Sequence, residues 1–296
     1  MNQLSLFPEP QKPPLQILKD EAEKHKVKAL FALFSGGHDS LVATHIASQH
    51  PLFKGVLHID TGIGIPETQQ FVIDTCNKFG WPLQIYRAVE NTYADGSPNP
   101  QIYDDIVKKW GFPGASQHLI HYQCLKQRQI ARFMRDNKEY SRIGFATGVR
   151  NSESKRRMRN CREDSRREGR LVWIAHIRSL TSEDCQAYIK KHNLPKNPVK
   201  ENLCMSGECL CGAFAQKNEL LQIEAHYPEV AQRIRDLEKE VRANGFDWGW
   251  EEQPSKSYLA GRKMERMEDQ GQQSLPLCTS CEFHYELRKE SGLEEE

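Results

Sequence analysis

Apolar and polar residues alternate along the first two thirds of the chain in two different periods. Leu15, Leu18 and Ala22 are spaced as on one helix face, which predicts a short helix over 15–25. The uninterrupted apolar run 29–34 (ALFALF) reads as a buried strand; after the polar hexapeptide 35–40, Leu41, Val42, His45 and Ile46 return to helical spacing. A second strand is predicted at 55–60, ended by Thr61-Gly62. A helix over 66–79 follows, with Phe71, Cys76 and Phe79 inward, and then a third strand at 82–86. Further strands are predicted at 143–147 and 172–177, with a helix over 181–192 whose Thr-Ser-Glu-Asp start is a capping signal. Strands alternating with helices imply an α/β fold, a mostly parallel, doubly wound sheet covered on both faces.

After Pro195 the pattern breaks into a cysteine cluster and then a helix over 228–243, with Val230, Ile234, Leu237 and Val241 in line. The chain therefore divides into a Pro- and Gln-rich arm (1–14), an α/β domain (15–195), a cysteine-rich and helical extension (196–250) and a charged tail (251–296).

Composition removes several function classes. Lys and Arg number 41 against 40 Asp and Glu, a net charge of +1, so the chain is not a uniformly basic nucleic-acid binder. The longest apolar run, 29–34, is far short of the roughly 20 residues a spanning helix needs, so no membrane contact is expected. The first residues lack the basic and apolar regions of a secretory signal, and a cytoplasmic location is expected. Nine cysteines in a reducing compartment point to metal, cluster or redox chemistry rather than a disulfide framework.

The near-zero charge is a cancellation. From Lys155 to Arg170 eight basic residues stand against three acids, whereas 251–296 holds six basic residues and eleven acids. The basic run is either a solvated helical face or a phosphate clamp for nucleotide or nucleic acid. Tyr140, Phe145 and Trp173 are too few to support base stacking.

The hexapeptide Ser35-Gly36-Gly37-His38-Asp39-Ser40 lies between a predicted strand and a predicted helix. Glycines there permit a tight turn, and successive N–H groups converge where phosphate is favoured, with Ser35 and Ser40 adding hydroxyls. Asp39 has the wrong charge to touch phosphate and suits Mg²⁺ or loop orientation. Taken alone, Gly-Gly reads first as an ordinary glycine turn.

The whole string resembles the pyrophosphate loop of the adenine nucleotide α-hydrolase-like superfamily, which holds the ATP pyrophosphatases and the phosphoadenosine phosphosulfate (PAPS) reductases. His58-Ile59-Asp60-Thr61-Gly62 with Pro66-Glu67-Thr68 is similar to a second signature of PAPS-reductase-type domains. Thr147-Gly148-Val149-Arg150-Asn151-Ser152-Glu153-Ser154 with Arg157 is similar to a third. The resemblance implies pyrophosphate binding by Ser35, Gly36, Gly37, Asp39 and Ser40, with Asp60, Thr61 and Gly148 at the same strand ends and phosphate or sulfate held by Arg150 and Arg157. Because the ATP-pyrophosphatase form of the loop is kept, it further implies ATP with Mg²⁺, cleavage between the α and β phosphates, and transfer of AMP to an acceptor for sulfur transfer. DNA or tRNA thio-modification is the nearest functional model, with an unidentified sulfur donor. The alternatives are a sulfonucleotide reductase, for which Cys281 in Cys281-Glu282-Phe283-His284 would be the nucleophile, and a non-catalytic nucleic-acid-binding or clamp-tethered protein.

The resemblance also implies a 4Fe-4S cluster on Cys124, Cys204, Cys209 and Cys211. Spacing leaves open a structural Zn²⁺ on Cys209, Cys211, Cys278 and Cys281, or a redox dithiol of Cys278 and Cys281. Cys76, Cys161 and Cys185 are expected to be inert, and His45, His58 and His176 to be core residues. Gln3-Leu4-Ser5-Leu6-Phe7 resembles the peptide by which bacterial DNA-processing proteins dock on the replication sliding clamp; a tail packing on its own domain is the alternative.

Overall fold

A computed structural model describes residues 12–92, 97–98, 102–114, 118–151 and 163–254. The clamp-like peptide Gln3–Phe7, Ser152–Arg162 with Arg157 and Cys161, and the tail cysteines Cys278 and Cys281 lie outside the described residues.

The helix Pro14–Lys24 (α1) precedes the strand Ala29–Leu33 (β1), and the helix His38–Ala47 (α2) follows it. Phe53–Asp60 (β2), Pro66–Phe79 (α3) and Leu83–Arg87 (β3) continue the alternation. Farther on come Ile143–Ala146 (β4), Ser165–Glu168 (β5), Leu171–Ile174 (β6) and the helix Ser182–Lys191, α7 below. Among the described residues the strands form one six-stranded sheet in the order β3-β2-β1-β4-β6-β5. All neighbours are parallel except β5 against β6.

Alternate residues of β1 leave on opposite faces, as the pleat requires. Leu30 and Ala32 pack with Leu18 and Ala22 of α1, while Ala29, Phe31 and Leu33 pack with Ile130 and Phe133 of the helix Arg128–Asp136 (α6). The sheet is thus covered on both sides, and the α/β, doubly wound reading holds. The Thr181 signal is a full capping box with Asp184 at the start of α7.

Two parts of the sheet's surroundings escaped the pattern. Residues 88–142, which carry no clear strand period, hold Tyr103–Trp110 (α4), His118–Tyr122 (α5), a π-helical turn Gln123–Gln127 and α6. The second is β5. A helical face was one reading of the basic run, but residues 165–168 are an extended edge strand, hydrogen-bonded antiparallel to β6. An edge tolerates charge because one side of it stays open to water. Arg170, also in that run, donates to the carbonyls of Met134, Asn137 and Tyr140 beyond and at the end of α6, so it braces a helix terminus.

Residues 196–254 pack into a further apolar cluster shared with the loop after β2 and with residues 103–125. Pro198–Leu203 (α8), Glu219–His226 (α9) and Pro228–Ala243 (α10) join α4 around Ile106, Val107, Leu210 and Ile223. Trp248 donates to the Phe112 carbonyl at 2.9 Å and Trp250 to that of Leu210 at 2.8 Å, closing this cluster. No helix among the described residues is long and apolar enough to cross a membrane.

His45, His58 and His176 are tied into the fold. His45 shares a 2.9 Å hydrogen bond with Tyr188, and His58 donates to the Phe34 carbonyl at 2.8 Å. His176 donates to the Ala43 carbonyl at 3.2 Å, and burial pushes its pKa from 6.5 down to about 4. With the folded value below the unfolded one, the unfolded chain takes up this proton first as pH falls. The contribution is therefore complete above the unfolded pKa and is lost as pH falls toward 4, about 3 kcal/mol in all. Urea unfolding at neutral pH and near pH 4.5 should show a smaller pH-dependent loss in His176→Gln than in wild type; equal losses would refute it. Cys76 and Cys185 are buried, and burial pushes the Cys76 thiol up to about 12, as suits inert core residues.

Candidate functional site

The site forms where the sheet order reverses. β1 lies between β2 and β4, and the chain leaves β2 and β4 on either side of it. At such a point the loops beyond the carboxyl strand ends diverge and leave a crevice. Residues 35–37 follow β1, 61–65 follow β2 and 147–151 follow β4, so all three motif segments converge there.

Local structure shapes the first loop. Gly36 has φ +82°, and a Cβ on it would lie 2.7 Å from Thr68 Cγ2, so both its conformation and its space require glycine. Gly37 is extended and caps α2. The Ser35 and Ser40 hydroxyls lie 3.1 Å apart, and Ser40 donates to the Gly37 carbonyl at 2.9 Å. His38, at the first position of α2, is half-buried, and its Nε2 has no hydrogen-bond partner among the described residues. Burial lowers its pKa, which favours the neutral ring. A turn of this kind presents N–H groups and the positive end of a helix to an anion.

The β4 loop closes over that turn. A Cβ on Gly148 would sit 2.6 Å from Ser40 N and 2.8 Å from Ser40 Cα, so backbone meets backbone here. Arg150 reaches across to form a 2.9 Å ion pair with Asp39, and also donates to Ser182 Oγ at 3.2 Å. Asp39 and Arg150, separate candidates in the sequence, are thus one charge pair between two motifs.

Asp60 and Thr61 are engaged within the protein. Asp60 accepts from Gly62 N at 2.8 Å and Gln69 Nε2 at 3.0 Å, with Arg87 at 3.6 Å. Thr61 donates to the Glu208 carbonyl at 3.1 Å, which draws the cysteine-bearing loop against the second motif. That loop is strapped further by Ile65 N to Gly207 O at 2.7 Å and Leu210 N to Ile63 O at 3.3 Å.

Sequence reasoning missed Asn197, Lys126 and Glu208. Asn197 caps α8 through Val199 N and bonds the Gly36 carbonyl; its Asn-Pro signal at a helix start was available. Lys126, in the π-helical turn that also carries Cys124, forms a 2.9 Å ion pair with Glu208; the two side chains are only 4% and 10% exposed. A local sequence pattern holds no sign of a pair 82 positions apart.

Cys124, Cys209 and Cys211 meet in one apolar cluster. The Cys211 thiol hydrogen-bonded to Cys209, together with burial, holds Cys209 well above the usual thiol range. Cys124 joins the same apolar cluster, and burial raises its pKa as well. Cys204 instead ends α8 in a left-handed conformation and is exposed. Among the described residues no group of three or more His, Cys, Asp or Glu is placed to hold a metal. Of the four cysteines expected from the resemblance, Cys124, Cys209 and Cys211 share that apolar cluster and Cys204 lies at the surface.

The chain is similar to several known proteins. The chain is 24% identical over 271 residues to an uncharacterized protein of Methanocaldococcus jannaschii, a match covering 87% of this chain and 61% of that protein. The chain thus spans less than two thirds of that archaeal relative. It is 31% identical over 253 residues to an uncharacterized 37.8 kDa protein of Escherichia phage 186, covering 71% of this chain and 74% of that one. A phosphoadenylyl-sulfate reductase from Candida auris in its phosphate complex aligns with a TM-score of 0.47 at 17% identity, over 64% of this chain and 85% of that one. The profile of the phosphoadenosine phosphosulfate reductase domain matches residues 29–207, from β1 through all three motifs into the cysteine loop. The chain belongs to the phosphoadenosine phosphosulfate reductase domain family.

Proposed function

We propose that the chain binds ATP at residues 35–40, cleaves it between the α and β phosphates, and passes the adenylyl group to an acceptor that then receives sulfur. The observation that carries this reading is the intact Ser-Gly-Gly-His-Asp-Ser turn, held open by left-handed Gly36 at the reversal of strand order. An acceptor oxygen would form a bond to the α phosphorus while the bond to the bridging oxygen breaks, and pyrophosphate leaves with that electron pair. A sulfur nucleophile would then displace AMP from the activated acceptor. The turn's N–H groups and the Ser35 and Ser40 hydroxyls would hold the departing pyrophosphate, where fixed donors act most strongly.

Mg²⁺ takes one or two protein carboxylates and completes its shell with phosphate oxygen and water. Asp39, at the start of α2, fits that role, with Arg150 setting its position. When bound, the ion would neutralise charge on the leaving group. A nucleic-acid acceptor is supported by the basic run from Lys155 to Arg170, and clamp docking by Gln3–Phe7 would bring the enzyme to DNA.

Asp39→Ala should lower pyrophosphate release from ATP on the order of 10²-fold, measured across DNA, tRNA and small-molecule acceptors. No release by wild type with any acceptor would sink the proposal. Sulfite release from PAPS, lost in Cys281→Ser and unchanged in Asp39→Ala, would replace it with a sulfonucleotide reductase.

A further inference from the structure

We propose that Asn197 and Thr68 are positioning residues that couple the phosphate loop to the thiol loop. A nucleoside triphosphate bound at residues 35–40 would then restrain residues 204–211, and the thiol loop would in turn set nucleotide affinity. This rests on the nucleotide-binding reading above.

The junction is a small buried polar network. Asn197 is 0% exposed. Its Oδ1 accepts from Val199 N at 3.0 Å, which fixes the orientation of the amide. Its Nδ2 then donates to the Gly36 carbonyl at 3.0 Å, and lies 3.3 Å from Thr68 Oγ1 and 3.4 Å from the Ser206 carbonyl. Thr68 Oγ1 completes the ring by donating to the Ser206 carbonyl at 2.5 Å. One amide and one hydroxyl therefore join the phosphate turn, the start of α3 and the thiol loop.

The Gly36 carbonyl is the informative partner. It shares a rigid peptide plane with Gly37 N–H, and in a trans peptide the two point in opposite directions. Holding the carbonyl toward Asn197 therefore aims Gly37 N–H to the other side of the turn. An anion that pulls on that N–H shifts the same plane and with it the donor shared with Thr68 and Ser206. Slack is small, since a Cβ on Gly36 would meet Thr68 Cγ2 at 2.7 Å. Buried networks of this kind are costly when half satisfied, which favours concerted movement. Coupling between two binding events is reciprocal.

The test is hydrogen exchange of the peptide covering 204–212, with and without Mg²⁺-ATP, alongside ATP binding by calorimetry, on the full chain. In wild type, ATP should slow exchange there about fivefold or more. Asn197→Ala and Thr68→Val should still bind ATP, more weakly, yet leave exchange at 204–212 unchanged on ATP addition. Thr68→Ser, which keeps the hydroxyl, should restore the effect. A purely structural role would lower stability in the variants but preserve the ATP-dependent slowing. Should Asn197→Ala fail to fold, the Thr68 pair decides. ATP binding without slower exchange in wild type overturns the coupling alone, and full transmission in the variants overturns these residues' role. Absence of ATP binding to wild type overturns the nucleotide reading and the coupling with it.

Discussion

Gly148→Val is expected to cost nucleotide affinity on the order of 10²-fold, the usual penalty for displacing a preformed site by about an ångström. Even alanine would bring a Cβ to 2.6 Å from Ser40 N, 2.8 Å from Ser40 Cα and 2.9 Å from Asp39 C. These are backbone atoms in the first turn of α2, and no rotamer change relieves the contact. Relief requires α2 to move away from the β4 loop, which also stretches the Asp39–Arg150 pair. Overpacking of this kind costs about 1–3 kcal/mol in stability, so the fold should survive while the turn loses its geometry. Calorimetric titration with ATP, with urea unfolding as a check on folding, measures both. Affinity within a factor of about two of wild type would mean that the turn is not the phosphate site or that α2 slides freely.

Lys126→Met should destabilise the protein by about 3–5 kcal/mol, because it strands the Glu208 carboxylate in a position almost closed to water. The double variant Lys126→Met/Glu208→Leu should recover most of that loss, since a buried ion pair is commonly worth little more than apolar residues of similar size. Urea unfolding of the three proteins gives the comparison. A loss below about 1 kcal/mol in the single variant would show that solvent reaches the pair and screens it. The pair matters to function through its position. It joins the turn carrying Cys124 to the loop carrying Cys209 and Cys211, so its loss should free the thiol loop on one side while Asn197 still holds the other.

The alternating core of the fold was readable because each piece of it obeys a local rule. β1 is apolar on both faces, so a continuous run identifies it without reference to any neighbour. The capping box of α7 needs only Thr181 and Asp184, three positions apart. By the same logic β5 was hidden. Ser165-Arg166-Arg167-Glu168 has no strand period of its own, and only hydrogen bonds from β6 make it extended. The segment 88–142 was hidden too: α6 is mostly polar, and burial of Ile130 and Phe133 against β1 is what selects its face.

The sequence by itself determined the strand-turn-helix units and the residue types at their carboxyl ends, including the glycine pair that lets the chain turn after β1. Short-range periodicity and backbone geometry suffice for that, because each requirement is met within a few residues. Only the tertiary structure decided that Asp39 pairs with Arg150, that Asn197 bonds Gly36 across 161 positions, and that Cys204 is exposed while Cys211 is buried. Those outcomes depend on which strand lies beside which and on where a long chain closes back on itself, and no local pattern carries that information.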